Sequence, residues 1–130
     1  MYLLDTDWII QVFGKREPAT HTLRMLADSQ IHVSLVTVGE LYDGAFATVN
    51  PQGQLVGVRR FLDHYHVINL SDPIMEQFAE IRAFLRRRGQ LIPDFDLLIA
   101  ATALHHDLTL LTLNLRHFER IPDLRIYRPE

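Results

Sequence analysis

The chain reads as a three-layer α/β domain over residues 1–130, with a mostly parallel five-stranded sheet flanked by helices on both faces. Two observations predict this. Short apolar runs alternate with longer segments at helical spacing, a pattern that calls for crossover helices over a parallel sheet. The 130 residues, 48% hydrophobic, supply one core and fall short of two.

Tyr2 to Leu4 reads as a buried strand, followed by a helix over about residues 7–13 that stops at Gly14. Pro18 suits the first turn of a second helix, whose apolar face is Leu23, Met25 and Leu26. Residues 31–35 form the second strand, and Thr37 opens a helix carrying Glu40, Leu41 and Phe46. Asn50-Pro51-Gln52-Gly53 reads as a break. A helix over 55–65 and a strand over 67–70 come next. Ser71-Asp72-Pro73 then starts a long helix with Met75, Phe78, Ile81 and Leu85 inward, closed by Gly89. Arg82, Arg86, Arg87 and Arg88 lie toward its end, where cations suit the helix dipole. A helix from Asp94 to about His106, a strand over 108–112 and a last strand over 124–127 complete the order.

Polar residues stand where the apolar runs give out: Asp5, Glu40, Asp96 and Asn114. In open α/β sheets, ligands bind outside the carboxyl ends of the strands, near a topological switch point, so one anionic pocket can be assembled from the length of the chain. Each acid also has a simpler reading. Thr37-Val38-Gly39-Glu40 fits a capping box, and Asp5, Asp7, Asp94 and Asp96 are good helix caps. Capping alone gives no reason for carboxylates to recur at several converging ends.

Convergence has an electrostatic consequence. Two like charges about 4 Å apart cost roughly 4 kcal/mol at an effective dielectric near 20, so three carboxylates together bind protons or a cation. Oxygen donors favour a hard ion such as Mg²⁺, with Mn²⁺ as a substitute. A metal-activated water attacking a phosphodiester is the chemistry that follows.

These residues resemble the motifs of the PIN-domain ribonucleases, and within them the VapC-type toxins of toxin-antitoxin pairs. Tyr2-Leu3-Leu4-Asp5-Thr6-Asp7 is similar to the first motif and Ser34-Leu35-Val36-Thr37-Val38-Gly39-Glu40-Leu41 to the second. Asp96-Leu97-Leu98-Ile99-Ala100-Ala101-Thr102-Ala103 is similar to the third, and Leu111-Thr112-Leu113-Asn114 with Arg116-His117-Phe118 to the fourth. The motifs stand in family order over nearly the whole chain. The resemblance implies a PIN-like fold and a Mg²⁺-dependent endoribonuclease that leaves a 5′-phosphate and a 3′-hydroxyl. Asp5 and Asp96 would ligate the metal, Glu40 would complete the cluster, and Asn114 would join it as a neutral fourth member. Thr6, Asp7, Thr112 and Asp94 would support it. The family has asparagine where this chain has Asp7, and many members have aspartate at Asn114. Asp96 is preferred to Asp94 because it directly precedes the Leu-Leu-Ile-Ala-Ala helix. The implied partners are a VapB-type antitoxin, an RNA substrate and a second copy of the chain in a homodimer.

A formal charge of −3 disfavours nucleic acid as a whole. Local distribution offsets this: Arg82, Arg86, Arg87, Arg88, Arg116 and Arg120 could rim the pocket and bind RNA phosphates, while Lys15 is the one lysine. Trp8, Phe13, Tyr42 and Phe46 are assigned to the core or to a partner, and an antitoxin helix in an apolar groove is the mode the resemblance implies. The histidines do not show zinc-ligand spacing. No cysteine, signal segment or long apolar run is present, which points to the cytoplasm and away from membranes. Two alternatives remain: a haloacid-dehalogenase-like phosphatase using Asp5-Thr6-Asp7, and a non-catalytic PIN-like module that binds RNA or a partner.

Overall fold

The computed structural model describes residues 1–128. The element order is β1 (Tyr2–Leu4), α1 (Thr6–Phe13), α2 (Ala19–Met25), a 3₁₀ turn (Asp28–Gln30), β2 (Ile31–Ser34), α3 (Leu35–Phe46) and α4 (Pro51–Leu62). Then come β3 (His66–Ile68), α5 (Asp72–Arg87), α6 (Asp94–His105), β4 (Thr109–Leu111) and α7 (Leu115–Phe118). Among the described residues the sheet has four strands in the order β3-β2-β1-β4, and every pairing is parallel. The chain steps outward from β1 to β2 to β3, then returns to place β4 on the other side of β1. That reversal makes the gap between β1 and β4 the topological switch point, where a crevice opens at the carboxyl ends of the strands.

Alternation along the strands divides the interior into two apolar layers. Leu3 and Leu110 face one layer, filled by Ile74, Ile81 and Leu85 of α5 and by Leu97, Ile99, Ala100 and Ala103 of α6. Leu4, Ile31, Val33 and Leu111 face the other, which is filled by Trp8, Ile9, Leu23, Leu41 and Val58. The two layers clamp the sheet and fix the positions of its carboxyl ends.

Several expectations are corrected. The fifth strand, expected over 124–127, is reduced to one parallel bridge between Leu110 and Ile126. The Leu110 amide donates to the Arg125 carbonyl and the Tyr127 amide to the Leu110 carbonyl, both at 2.8 Å. Asp123, at φ 67°, turns the chain just before this contact, and among the described residues these two bonds to Leu110 are the backbone pairing of residues 125–127 with β4. Helix α3 starts at Leu35 rather than Thr37, because the Ser34 hydroxyl caps it by accepting from the Val36 amide at 3.1 Å. The Thr37–Glu40 capping box therefore does not form, and Glu40 is released for other contacts. The apparent break at Asn50-Pro51 is a start: Asn50 accepts from the Gly53 amide, and Pro51 occupies the first turn of α4. On α5, Phe78, Ile81 and Leu85 face the core as expected, but Met75 is 41% exposed and the fully buried Ile74 takes its place in the first turn.

Candidate active site

The crevice is built by β1, β4 and the first turns of the helices around them. Asp5 follows β1, and its amide still donates to the Leu111 carbonyl at 2.9 Å, which ties the residue to β4. It caps α1: Oδ1 accepts from the Thr6 amide at 2.8 Å. Its other oxygen, Oδ2, accepts from the Thr112 hydroxyl at 2.7 Å. Asp5 is only 4% exposed. Burial, and then the charge of Asp7, push its pKa up to about 7, against the opposing hydrogen bonds from Thr112 and Thr6.

Asp7 does not cap α1. It reaches across the crevice to the loop after β4, where its Oδ2 accepts from the Leu113 amide at 3.1 Å and from the Thr112 hydroxyl at 3.4 Å. Burial raises its pKa despite these bonds. Its Oδ1 is buried without a hydrogen-bond partner among the described residues. A buried carboxylate oxygen left unpaired is costly and needs an explanation.

Glu40 lies on α3, with Oε1 accepting from the Thr6 hydroxyl at 2.6 Å. That hydroxyl also stands 3.3 Å from the hydroxyl of Thr37, which is fully buried. Partial burial pushes the Glu40 pKa up, and the nearby charges of Asp96 and Asp7 push it the same way. Asp96, in the first turn of α6, adds its charge to those acting on Asp5, Asp7 and Glu40. Four carboxylates from α1, α3, α6 and the end of β1 therefore share one electrostatic field.

Thr112 and His117 organise the opposite wall. The Thr112 hydroxyl accepts from the Asn114 amide at 3.0 Å while it donates toward Asp5. His117 places Nδ1 2.8 Å from Asp96 Oδ2 and 2.8 Å from the Asn114 side-chain amide. One ring nitrogen cannot donate to Asp96 and accept from Asn114 in the same protonation state. The nitrogen therefore serves one of these two contacts at a time, and His117 and Asn114 pack together against Asp96. His117 was absent from the sequence-based set. It stands within the fourth motif, and its three-residue spacing from Asn114 becomes legible as a contact once residues 115–118 are helical.

Asp94 is not brought into the cluster. Its Oδ1 accepts from Arg82 Nε at 3.0 Å, and the pair lies toward solvent. Arg88, Arg116 and Arg120 line a separate cleft of about 430 Å³ together with Phe84, Gln90, Glu119 and Pro122. The Arg88 guanidinium stacks 4.5 Å above the Phe84 ring, and Arg120 donates to the carbonyls of Gln90 and Leu91. Arg86 and Arg87 are exposed at the end of α5. Trp8 is buried, while Phe13 and Phe46 are 45% and 61% exposed. Lys15, the lysine a phosphatase reading would need, lines a different cavity with Arg24 and Tyr65.

The donor set fits a hard divalent ion. It is composed of oxygens, its carboxylates oppose one another's ionisation, and Asp7 keeps a buried oxygen unused. Among the described residues, no three histidine or carboxylate side chains form a ready-made cage. Mg²⁺ does not need one, because it is held by one or two carboxylates plus waters and substrate phosphate.

The sequence and fold have close counterparts. A model of the PIN domain matches residues 2–124. The ribonuclease VapC2 of Haemophilus influenzae is 35% identical over 125 residues, covering 95% of this chain and 94% of its own. The tRNA(fMet)-specific endonuclease VapC of Salmonella typhimurium is 31% identical over 125 residues, covering 96% and 95%. Among solved structures, VapBC2 from Rickettsia felis bound to a DNA fragment from its promoter contains a chain that superposes with a TM-score of 0.90. It is 27% identical and covers 99% of this chain and 98% of its own. With a crevice of acids at the switch point, a domain match over nearly its whole length and relatives above 30% identity, the chain belongs to the PIN-domain family, among the VapC ribonucleases.

Proposed function

We propose that the chain is a Mg²⁺-dependent endoribonuclease and the toxin of a type II toxin-antitoxin pair. The observation that carries the reading is the convergence of Asp5, Asp7, Glu40 and Asp96 at the switch point, where burial and mutual repulsion raise the pKa values of the first three. A site arranged so that its carboxylates oppose one another is suited to a cation.

Asp5 and Asp96 would hold the ion, with the unused Oδ1 of Asp7 as a further donor or an acceptor for a coordinated water. When bound, Mg²⁺ supplies charge for the phosphate oxygens and lowers the pKa of water. Thr6 orients Glu40 through the 2.6 Å hydrogen bond, fixing that carboxylate to accept a proton from the attacking water. Thr112 holds Asp5, and His117 with Asn114 holds Asp96. The water oxygen bonds to phosphorus, the P–O3′ bond breaks, and the 3′ oxygen takes up a proton to leave as a hydroxyl. Arg88, Arg116 and Arg120 would bind flanking phosphates, with Arg82, Arg86 and Arg87 farther along the same helix.

Structural neighbours solved as VapBC complexes support a VapB-type antitoxin as partner, and a homodimer is part of the same reading. No helix among the described residues is long and apolar enough to cross a membrane, in keeping with action on RNA in the cytoplasm. The test is RNA cleavage by purified protein with Mg²⁺ or Mn²⁺, with EDTA, and with Asp5→Asn and Asp96→Asn. Cleavage that persists in both variants and in EDTA rejects the site. Growth arrest on expression, relieved by the neighbouring antitoxin frame, tests the toxin role.

A further inference from the structure

Beside the acids lies a second cavity, of about 330 Å³, lined by Trp8, Pro18, Thr112, Leu113, Leu115, Tyr127 and Arg128. We propose that it binds one unpaired nucleobase of a single-stranded RNA, next to the phosphate to be cut. The inference rests on the ribonuclease reading and names a part of the substrate that the acids cannot recognise.

Position is the first argument. The cavity and the acid crevice share a wall: Thr112 lines the cavity and donates to Asp5, and the amide of Leu113 donates to Asp7. A group seated in the cavity is therefore held one residue away from the carboxylates. Such spacing suits a nucleotide whose phosphate lies at the site.

The lining is the second. Trp8 and Tyr127 meet edge to face, with ring centroids 6.3 Å apart and planes at 88°. Pro18, Leu113 and Leu115 make the rest of the lining apolar. Leu113 is 42% exposed although it sits beside the most polar part of the molecule. Trp8 is 2% exposed and backs the cavity, so Tyr127 and Leu113 offer the accessible faces on which a base that has left a helix can stack, as in single-stranded RNA readers. The Trp8 indole N–H is buried and has no hydrogen-bond partner among the described residues. Arg128, at the rim, is 56% exposed and pairs with Glu119 at 2.9 Å.

Size is the third. At about 330 Å³ the cavity stands near the lower end of the roughly 300–1,000 Å³ range of ligand pockets. A heterocyclic base fits, whereas a partner helix, about 10–12 Å across with its side chains, does not enter. Base-paired RNA is excluded as well, because its bases are stacked and their edges lie inside the duplex.

Trp8 is the one tryptophan in the chain, so the cavity carries its own fluorophore. The experiment titrates the Asp5→Asn variant, which binds without cutting, with single-stranded oligoribonucleotides. The expected result is a saturable change in Trp8 emission. Moving one abasic residue along the strand should weaken binding about ten-fold at a single position, the scale of one base–aromatic contact. Tyr127→Ser in the same background removes a wall and should bring intact and abasic strands within about two-fold of each other. Leu113→Ala, at a surface position that leaves folding intact, should reduce the penalty in the same direction. Binding with no preferred abasic position, or with silent Trp8 emission, overturns the proposal while the ribonuclease reading stands. A response to an antitoxin peptide and not to RNA also overturns it, by making the cavity a protein-docking site. Failure of the unsubstituted chain to cut any RNA rejects the ribonuclease reading instead, and the abasic measurement still decides the pocket.

Discussion

Helix α6 passes through two regions with opposite physics. Leu97 on its inner face and Ile99, Ala100, Ala101 and Ala103 in its later turns are buried against α5 and the sheet, where each contact favours the folded state. Its first turn presents Asp96 to three other acids, where ionisation is opposed. A single element thus supplies stability at one end and a destabilised charge cluster at the other. The comparison separates residues whose loss lowers stability from residues whose loss lowers activity alone, and the two sets should respond to substitution in opposite ways.

The largest effect should be on activity. Asp5→Asn and Asp96→Asn are each expected to lower the rate of RNA cleavage on the order of 10³-fold, the scale of removing one charge-stabilising group, as read by gel-based cleavage kinetics. Thermal melting of the same proteins sharpens the contrast. Asp5→Asn should melt higher than the parent in EDTA at pH 7, by roughly 1–3 kcal/mol, because it removes a buried carboxylate whose ionisation is opposed. A clear loss of stability in that variant breaks the comparison.

On the apolar side, Leu97→Ala should cost about 2–5 kcal/mol in denaturant unfolding, and surviving folded molecules should keep their cleavage rate. Titration gives the next effect. Asp5 has a folded pKa of about 7 against an ordinary value of 3.8, so the folded state holds the proton more tightly than the unfolded chain. Its contribution is full below about pH 4 and is lost as pH rises through 7, so metal-free stability should fall across that window and Asp5→Asn should flatten the slope. Urea midpoints measured from pH 4 to 8 in EDTA check the sign. The smallest effect belongs to Asp94→Asn, which removes an exposed pair with Arg82. It should change stability by less than about 1 kcal/mol and leave cleavage unchanged, unlike its neighbour two residues on.

That contrast also shows what sequence could reveal. Asp5, Glu40 and Asp96 were legible because each stands where an apolar run ends, and a parallel sheet gathers such ends. The choice between Asp94 and Asp96 was made by pattern, and the reason is tertiary: residues two apart on a helix point to different sides, and Arg82 on α5 takes one of them. The capping box was misplaced because Ser34, fully buried at the end of β2, caps α3 first. Asp7 looked like a cap and is instead a strut across the crevice, a contact spanning 106 positions that local spacing cannot reveal. The fifth strand was read from apolar content, which does not register that residues 125–127 meet β4 only at Leu110.

The strand order carries a last consequence for synthesis. Asp5 is made before its partner Thr112, which follows 107 positions later in the chain together with the β4 segment that flanks β1. A nascent chain that has extended only through α6 holds all four acids but lacks the wall that positions them. The ribosome that makes this chain thus meets a complete site only after β4 and Thr112 have been translated.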